Sequence, residues 1–230
     1  DTGSTDRTVE IAASFGAKTG YFEWCDNWSA ARNVSIELAT GDWILWLDPD
    51  DVLPKEMHGK IREAMARGLG KKKAYFFVLD DRGYEPVNCL QLRLFPNVPG
   101  VAFSQPVHEQ VTPSLANLGI TCELTDIRVV HTGYTTPEVV REKQERYHRI
   151  MVRWLETHPE DYIVRSHVAQ TRYIWGELDE AIVHYRRIIE DRACHEDHNL
   201  VIETTARLFL GRCLMRQGNY QDALEELRRA

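Results

Sequence analysis

Five consecutive apolar residues, followed at once by a group of carboxylates, constrain this chain more than any other feature. The apolar run is Trp43–Leu47, and the segment after it reads Asp48-Pro49-Asp50-Asp51. A run without polar alternation predicts a strand buried on both faces, as in a parallel sheet with helices on each side. Ligands of open α/β sheets bind outside the carboxyl ends of the strands, so these carboxylates lie where a ligand is expected.

The first half of the chain alternates helix and strand signals, which predicts a layered α/β domain. We expect helices near residues 9–16, 29–39 and 54–67, and further strands at Ala74–Leu79, Leu90–Phe95 and Ile127–Val130. Strand signals end at about Thr136, and the remaining sequence has helical periodicity. The expected organisation is therefore an α/β domain over residues 1–136 and an all-α region over residues 137–230.

The helical half contains an internal repeat with a constant offset of 42 positions. Four residues recur in register: Gly176, Leu178, Ala181 and Tyr185 correspond to Gly218, Tyr220, Ala223 and Leu227. The pattern resembles the tetratricopeptide repeat, in which small alanines let helices approach closely. Its usual period is about 34 residues, so Asp191–Asn199 is expected to be a lengthened connection. The alternative is a pair of ordinary helical hairpins that share a turn.

Composition excludes several classes of protein. The chain of 230 residues is 43% hydrophobic and 27% charged, which does not fit a disordered chain. Its net charge of −7 argues against nucleic acid as a partner. A membrane-spanning helix needs about 20 consecutive apolar residues, and no apolar run in the sequence approaches that length. Five cysteines without a CxxC pair argue against a disulfide framework or a zinc cluster, and favour a reducing compartment.

Carboxylates and one histidine are the candidates for metal chemistry. Asp48 and Asp50 on alternating residues favour a hard divalent cation, Mn²⁺ or Mg²⁺, bridging them to substrate phosphates. His131 closes a predicted strand and is a candidate third ligand. The alternative for the acidic segment is that Asp50 or Asp51 caps the helix beginning near Pro54. Glu109 is a candidate general base.

Two further segments have both a functional and a structural interpretation. Asp1-Thr2-Gly3-Ser4 is a small-residue turn before a helix, which can bind an anion through backbone N–H groups or serve only as a turn. Arg32 places a cation early in the second helix, and its alternative is a surface pair with Glu37. Trp24 and Trp28 are expected in the core rather than on a sugar-binding surface.

Five motifs occur together and in order. They read D-T-G-S-T-D-R-T from Asp1, W-x-D-N-W-S-x-A-R-N from Trp24, A-x-G-D-W-I-L-W-L-D-x-D-D from Ala39, V-H-E from Val107, and H-T-G-Y from His131. This combination resembles the family 2 inverting glycosyltransferases of GT-A fold, a Rossmann-like nucleotide-diphospho-sugar transferase fold. The resemblance is greatest to bacterial members that carry C-terminal tetratricopeptide repeats.

The resemblance implies roles for individual residues. Asp1 matches the acidic residue that hydrogen-bonds the nucleotide base, with Gly3 and Ser4 in the same nucleotide-sugar-binding segment, and Arg32 matches an arginine of the phosphate region. Asp48 lies near the ribose or the metal, and Asp50 is the more direct ligand. His131 completes the metal shell and Glu109 is the catalytic carboxylate. Pro49 departs from the usual small residue and favours an extended Asp48.

The implied activity is metal-dependent, inverting transfer of a hexose-like sugar from a nucleotide-diphosphate donor, most readily a UDP-sugar. Acceptors compatible with the resemblance are surface glycans, lipopolysaccharide core and peptides, which suggests bacterial cell-envelope biosynthesis in the cytoplasm or at the inner face of the membrane. The helices would bind a protein partner or mediate self-association. Asp1 would be the end of a strand, so the chain is interpreted as an N-terminally truncated fragment.

Two rival functions remain. In one, the catalytic half is degenerate and the helical repeats act as a protein-binding scaffold. In the other, the chain is a nucleotidyltransferase of similar sheet topology, although it contains no G-x-G-T-R-type loop.

Overall fold

A computed structural model describes residues 1–70, 72–82, 87–132, 136–191 and 200–230 of the chain. It divides into two compact units, Asp1–Glu142 and Lys143–Ala230.

The first unit contains four helices and five strands in its described residues. The helices are α1 (Thr8–Ser14), α2 (Trp28–Leu38), α3 (Met57–Gly68) and α4 (Thr112–Asn117). The strands are β1 (Trp43–Leu45), β2 (Asp51–Val52), β3 (Lys73–Asp81), β4 (Val87–Pro96) and β5 (Thr121–His131). Each helix and strand expected from the sequence therefore overlaps one of these elements, with bounds that differ by up to six residues.

The strands form one sheet in the order β1-β4-β3-β5-β2. Only β3 and β5 pair in parallel among the described residues, and the other neighbours are antiparallel. The expectation of a five-residue strand buried on both faces was wrong. Strand β1 has three residues at the edge of this sheet, and Leu45 and Leu47 are each 37% exposed. Apolar character alone cannot tell a central strand from an edge strand that continues into a turn.

Two hydrophobic clusters pack on opposite faces of the sheet, because successive side chains of a strand point to opposite faces. Ala74 belongs to a cluster with Leu115 of α4, and Tyr75 belongs to a second cluster with Ile61 and Ala64 of α3. Helices therefore cover both faces of the sheet, as a layered α/β domain requires.

The second unit is helical. Helix α5 (Pro137–Thr157) crosses the boundary between the units, and α6 (Tyr162–Trp175), α7 (Leu178–Glu190), α8 (Leu200–Arg216) and α9 (Tyr220–Arg229) follow. Consecutive helices from α6 to α9 pack against one another. This agrees with the helical half that the sequence predicts.

The internal repeat has a repeated geometry. Gly176 and Gly218 each follow a helix in the left-handed region, with φ of 84° and 81°. Ala181 and Ala223, 42 positions apart, are both buried. A Cβ atom added to Gly211 would lie 2.7 Å from Leu227 Cγ, so α8 and α9 are in close contact there. The structure thus repeats one helix–turn–helix unit, as expected for a tetratricopeptide-like element.

Parts of three expectations lie outside the described residues. These are most of the connection Asp191–Asn199, Cys194, and residues 133–135 of the fifth motif. The described cysteines, Cys25, Cys89, Cys122 and Cys213, have free thiols. Among the described residues, no helix combines the length and the apolar character that crossing a bilayer requires.

Candidate active site

The acidic segment forms a tight turn at the end of the first apolar run. Asp51 N donates to Asp48 O at 2.9 Å, and Asp48 N donates to Asp51 Oδ2 at 2.8 Å, so bonds close the turn in both directions. Proline at the second position suits such a turn, because its fixed φ matches the required backbone. Helix α3 begins later, after Glu56, so the alternative that Asp50 or Asp51 caps it was wrong.

Asp51 is the buried centre of this turn, with a side chain that is 0% exposed. Its Oδ1 lies 2.9 Å from His131 Nδ1, and its Oδ2 lies 2.8 Å from Arg93 Nη1. The pairing of β2 with β5 brings Asp51 and His131 into register as partners. The sequence indicated Asp51 as a third carboxylate after Asp48 and Asp50 or as an alternative helix cap, and only the sheet pairing reveals its position.

Three of the side chains here form a group that could hold a metal ion. Ligand atoms of Asp50, Asp51 and His131 all lie within 4.8 Å of one another. His131 Nδ1 is 3.6 Å from Asp50 Oδ1, and the Asp50 side chain is 36% exposed. Carboxylate oxygens with one imidazole suit Mn²⁺, and carboxylates alone suit Mg²⁺. The structure therefore brings together two of the expected ligands, Asp50 and His131, and places the Asp51 carboxylate beside them.

Asp48, the other expected ligand, forms a salt bridge with Arg32. Arg32 Nη2 lies 2.7 Å from Asp48 Oδ1, and Arg32 Nε lies 2.5 Å from Glu109 Oε1. The Arg32 guanidinium lies over the Trp46 ring, 4.2 Å from its centroid. Burial acts to lower the pKa of Arg32, but the carboxylates of Glu109 and Asp48 outweigh it and raise the pKa. The alternative that Arg32 pairs with Glu37 was wrong.

Helix α2 is hydrogen-bonded to the loop of residues 103–110, which carries Glu109 and is called the held loop below. Asn33 Nδ2 donates to Phe103 O at 3.1 Å, and Phe103 N donates to Asn33 Oδ1 at 2.8 Å. Ser29 Oγ donates to Gln105 O at 2.5 Å. Arg32 and Asn33 follow Ser29 by three and four positions, so all three residues lie on the same side of α2. The second motif is therefore a loop-holding surface, which the sequence analysis did not recognise.

The held loop has an unusual backbone. Gln105 and His108 adopt positive φ values of 67° and 56°. Such conformations are costly for residues other than glycine and persist where the surroundings enforce them, often at functional sites. Here the bonds from α2 and the Ser104–Gln110 bridge enforce them. Glu109 is thereby fixed beside Arg32.

In the N-terminal turn, donors of Gly3 and Ser4 bind the side-chain carboxylate of Asp1. Gly3 N donates to Asp1 Oδ2 at 2.9 Å, Ser4 N donates to the same oxygen at 3.1 Å, and Ser4 Oγ donates to Asp1 Oδ1 at 2.5 Å. All three residues are exposed. The backbone donors considered for an anion are thus engaged by Asp1, as in the turn-forming interpretation. A role in binding the nucleotide stays a prediction.

The expectation that both tryptophans lie in the core was wrong. Trp24 is 37% exposed and Trp28 is half-buried. Their rings meet edge to face with centroids 4.5 Å apart. Trp24 Nε1 donates to Asp26 Oδ1 at 3.0 Å, so the indole N–H has a hydrogen-bond partner at the surface.

Arg93 is a site residue that the sequence analysis missed. Its side chain is 1% exposed, and its guanidinium lies between Asp51 and Asp48, with N–O distances of 2.8 Å and 3.7 Å. Burial lowers the pKa of Arg93, although Asp51 and Asp48 oppose the effect. One signal was available, because a lone charge among the apolar residues of a predicted strand requires a buried partner.

Comparisons with known proteins match this chain in part or along most of its length. The model of Glycosyl transferase family 2 matches residues 1–80, which include the acidic turn. A TPR repeat-containing protein of Synechococcus elongatus is 37% identical over 192 residues, covering 79% of this chain and 46% of that protein.

A second relative is named as a glycosyltransferase. The SPbeta prophage-derived glycosyltransferase SunS of Bacillus subtilis is 28% identical over 233 aligned positions, covering 96% of this chain and 53% of SunS. SunS of Bacillus phage SPbeta matches with the same values. The chain spans about half the length of these relatives.

The fold and the acidic turn define a mixed α/β domain, which is followed by a helical region. Residues 1–80 match a family 2 glycosyltransferase domain, and the helical region has tetratricopeptide-like elements and lies in the part of the chain that aligns with a TPR repeat-containing protein.

Proposed function

We propose that this chain transfers a sugar from a nucleotide-diphosphate donor to an acceptor, with a divalent metal and with inversion at the anomeric carbon. The observation that carries the proposal is the convergence of Asp50, Asp51 and His131 beside the Arg32–Glu109 pair. The match of residues 1–80 to the glycosyltransferase family supports it.

The charge of the site favours a cation. Asp48, Asp50, Asp51 and Glu109 contribute four carboxylates, against the two guanidinium groups of Arg32 and Arg93. With a neutral His131, these groups have a net charge of −2. Uncompensated charge in a partly buried site is unfavourable, and one divalent ion would balance it.

Asp50, Asp48 and His131 are the ligands that we propose for Mn²⁺ or Mg²⁺. A bound cation supplies charge neutralisation for the departing nucleoside diphosphate. The residues Asp1, Gly3, Ser4, Arg32 and Asp48 are proposed to bind the donor, for which a UDP-sugar is the first choice.

Glu109 is proposed as the general base that takes the proton from the acceptor nucleophile. Its Oε1 is held by Arg32 Nε, so Oε2 is the oxygen that would accept the proton. Arg32 fixes the direction of this carboxylate, and positioning of this kind contributes much of the rate of a transfer reaction. Attack on the face opposite the diphosphate would invert the configuration of the sugar.

The acceptor is proposed to be a glycan or a peptide. The second unit would present its tetratricopeptide-like helices to this acceptor, to a protein partner or to a second copy of the chain. The cysteine composition favours action in the reducing cytoplasm, including its membrane face.

The test is the release of nucleoside diphosphate from donor sugars in the presence of Mn²⁺. Asp50→Ala should abolish the metal-dependent release, because it removes the most exposed carboxylate of the metal group. Asp126→Ala is the matched control, since Asp126 is a surface carboxylate of β5 that pairs with Lys60. Urea melts establish that both variants are folded. Turnover by Asp50→Ala at the wild-type rate would contradict the metal role.

A further inference from the structure

Arg93 is a charged residue in the protein interior, where charged side chains are rare. It lies in β4 between the buried residues Leu92 and Leu94, and its side chain is 1% exposed. A fully buried guanidinium is costly unless its charge is balanced. Among the described residues, only Nη1 of Arg93 makes hydrogen bonds, whereas Nε and Nη2 are buried without a hydrogen-bond partner. Its contacts therefore indicate what it does.

The contacts of Arg93 all lead to the acidic turn. Nη1 lies 2.8 Å from Asp51 Oδ2, and Nη2 lies 3.7 Å from Asp48 Oδ2. Nη1 also donates to Trp46 O at 3.4 Å, and the guanidinium carbon lies 3.7 Å from the centroid of the Trp46 ring. Arg93 thus contacts the segment just before the turn, its first residue and its last residue.

Asp51 connects Arg93 to two residues of the proposed metal site, Asp48 and His131. Its Oδ2 accepts from Arg93 Nη1 and from Asp48 N, and its Oδ1 lies 2.9 Å from His131 Nδ1. Both oxygens are engaged, and the side chain has no exposed surface. One carboxylate therefore fixes the Asp48 backbone and the imidazole ring together.

We propose that Arg93 is a positioning residue that acts through Asp51, and that these two buried side chains support Asp48, Asp50 and His131 without binding the metal. This inference rests on the proposed metal-dependent function. Asp51 is then the carboxylate of a carboxylate–histidine–metal arrangement, in which the partner of the ring nitrogen fixes the orientation of the ligand. Arg93 balances the charge of that carboxylate and fixes its rotamer.

The experiment measures Mn²⁺ binding to the full chain by the electron paramagnetic resonance signal of free Mn²⁺. Arg93→Met and Asp51→Asn should each weaken binding by about 10–100-fold, the range for loss of a residue that orients metal ligands. Arg93→Lys should recover part of the affinity, because it keeps one charged donor. Arg128→Met is the control, since Arg128 is an exposed arginine of β5.

The double variant Arg93→Met with Asp51→Asn separates positioning from folding. It removes both charges, so no unpaired carboxylate is left in the interior and folding is retained more readily than in Arg93→Met alone. If Arg93 acts through Asp51, the Mn²⁺ affinity of the double variant is no lower than that of the single variant with the lower affinity. Additive losses would show that Arg93 acts independently, and would overturn the proposal.

Failure of this inference differs from failure of the proposed function. Wild-type affinity in a folded double variant, verified by circular dichroism, overturns the positioning role while the metal site stands. Absence of Mn²⁺ binding in the wild-type chain overturns the metal site, and the positioning role with it.

Discussion

His184 makes the stability of the second unit dependent on pH. It lies in α7, where burial and the neighbouring basic groups of Arg165, Arg172 and His148 lower its pKa to about 4 from an ordinary value of 6.5. Its Nδ1 is buried without a hydrogen-bond partner, and so is Nε2 of His148. Protonation of His184 would add a positive charge to a group of basic side chains.

The sign and the size of the effect follow from these values. The unfolded chain binds a proton at His184 below pH 6.5, whereas the folded chain does so only near pH 4. The stability associated with neutral His184 is therefore present above pH 6.5 and is lost as the pH falls toward 4. Between pH 7.5 and pH 4.5, the linkage relation gives a loss of at most about 2.5 kcal/mol, and solvent screening of this partly exposed ring reduces it.

Amide hydrogen exchange of α6 and α7 measures this loss within the second unit. The wild-type chain should lose protection relative to His184→Gln as the pH is lowered, with the two proteins compared at each pH so that intrinsic exchange rates cancel. His58→Gln is the control, since His58 is an exposed residue of α3. Equal loss of protection in the wild type and His184→Gln would refute the reasoning.

Two further predictions concern packing and the held loop. Gly211→Ala should destabilise the second unit by about 1–2 kcal/mol, because overpacking against Leu227 outweighs the gain in helix propensity. Leu227→Ala in the same chain should reduce that penalty, and urea melts that show no such coupling would contradict the close contact. Asn33→Ala should cost about 1–3 kcal/mol and also lower kcat, because it frees the Phe103 backbone from α2. Asn97→Ala removes a similar pair of side-chain bonds elsewhere and should destabilise without a selective loss of kcat; equal losses of kcat would contradict the role of Asn33.

Local signals in the sequence predicted most of the fold. Helical spacing ahead of Gly16 located α1, and the glycine follows the helix with φ of 73°. The recurrence of Gly176 at Gly218 located the turns of the repeated helices. These features depend on interactions among neighbouring residues, so the local sequence is sufficient to indicate them.

Features that depend on strand pairing could not be predicted in the same way. The antiparallel pairing of β1 with β4 places Arg93 beneath the acidic turn, and the pairing of β2 with β5 places Asp51 beside His131. Neither register can be read from one sequence, because each joins segments far apart in the chain. The sequence therefore indicated the carboxylates of the site but did not distinguish buried Asp51 from solvent-facing Asp50.

The same reason explains the unexpected partners of Arg32. Its position on α2 identified it as a site residue, but its bonds to Asp48 and Glu109 span 16 and 77 positions of sequence. The local alternative, Glu37, is five positions from Arg32 and is the one carboxylate within α2. Side-chain pairing at this site is therefore a tertiary property, whereas the residue types were evident from the motifs.

Calorimetric titration with UDP, and then with GDP, in the presence and absence of Mn²⁺ tests the central claim most directly. We expect one of the two nucleotides to bind only when Mn²⁺ is present, and Asp50→Ala to lose that binding while Asp126→Ala retains it. Binding of neither nucleotide by the folded wild-type protein would contradict a metal-dependent glycosyltransferase and favour a helical-repeat scaffold.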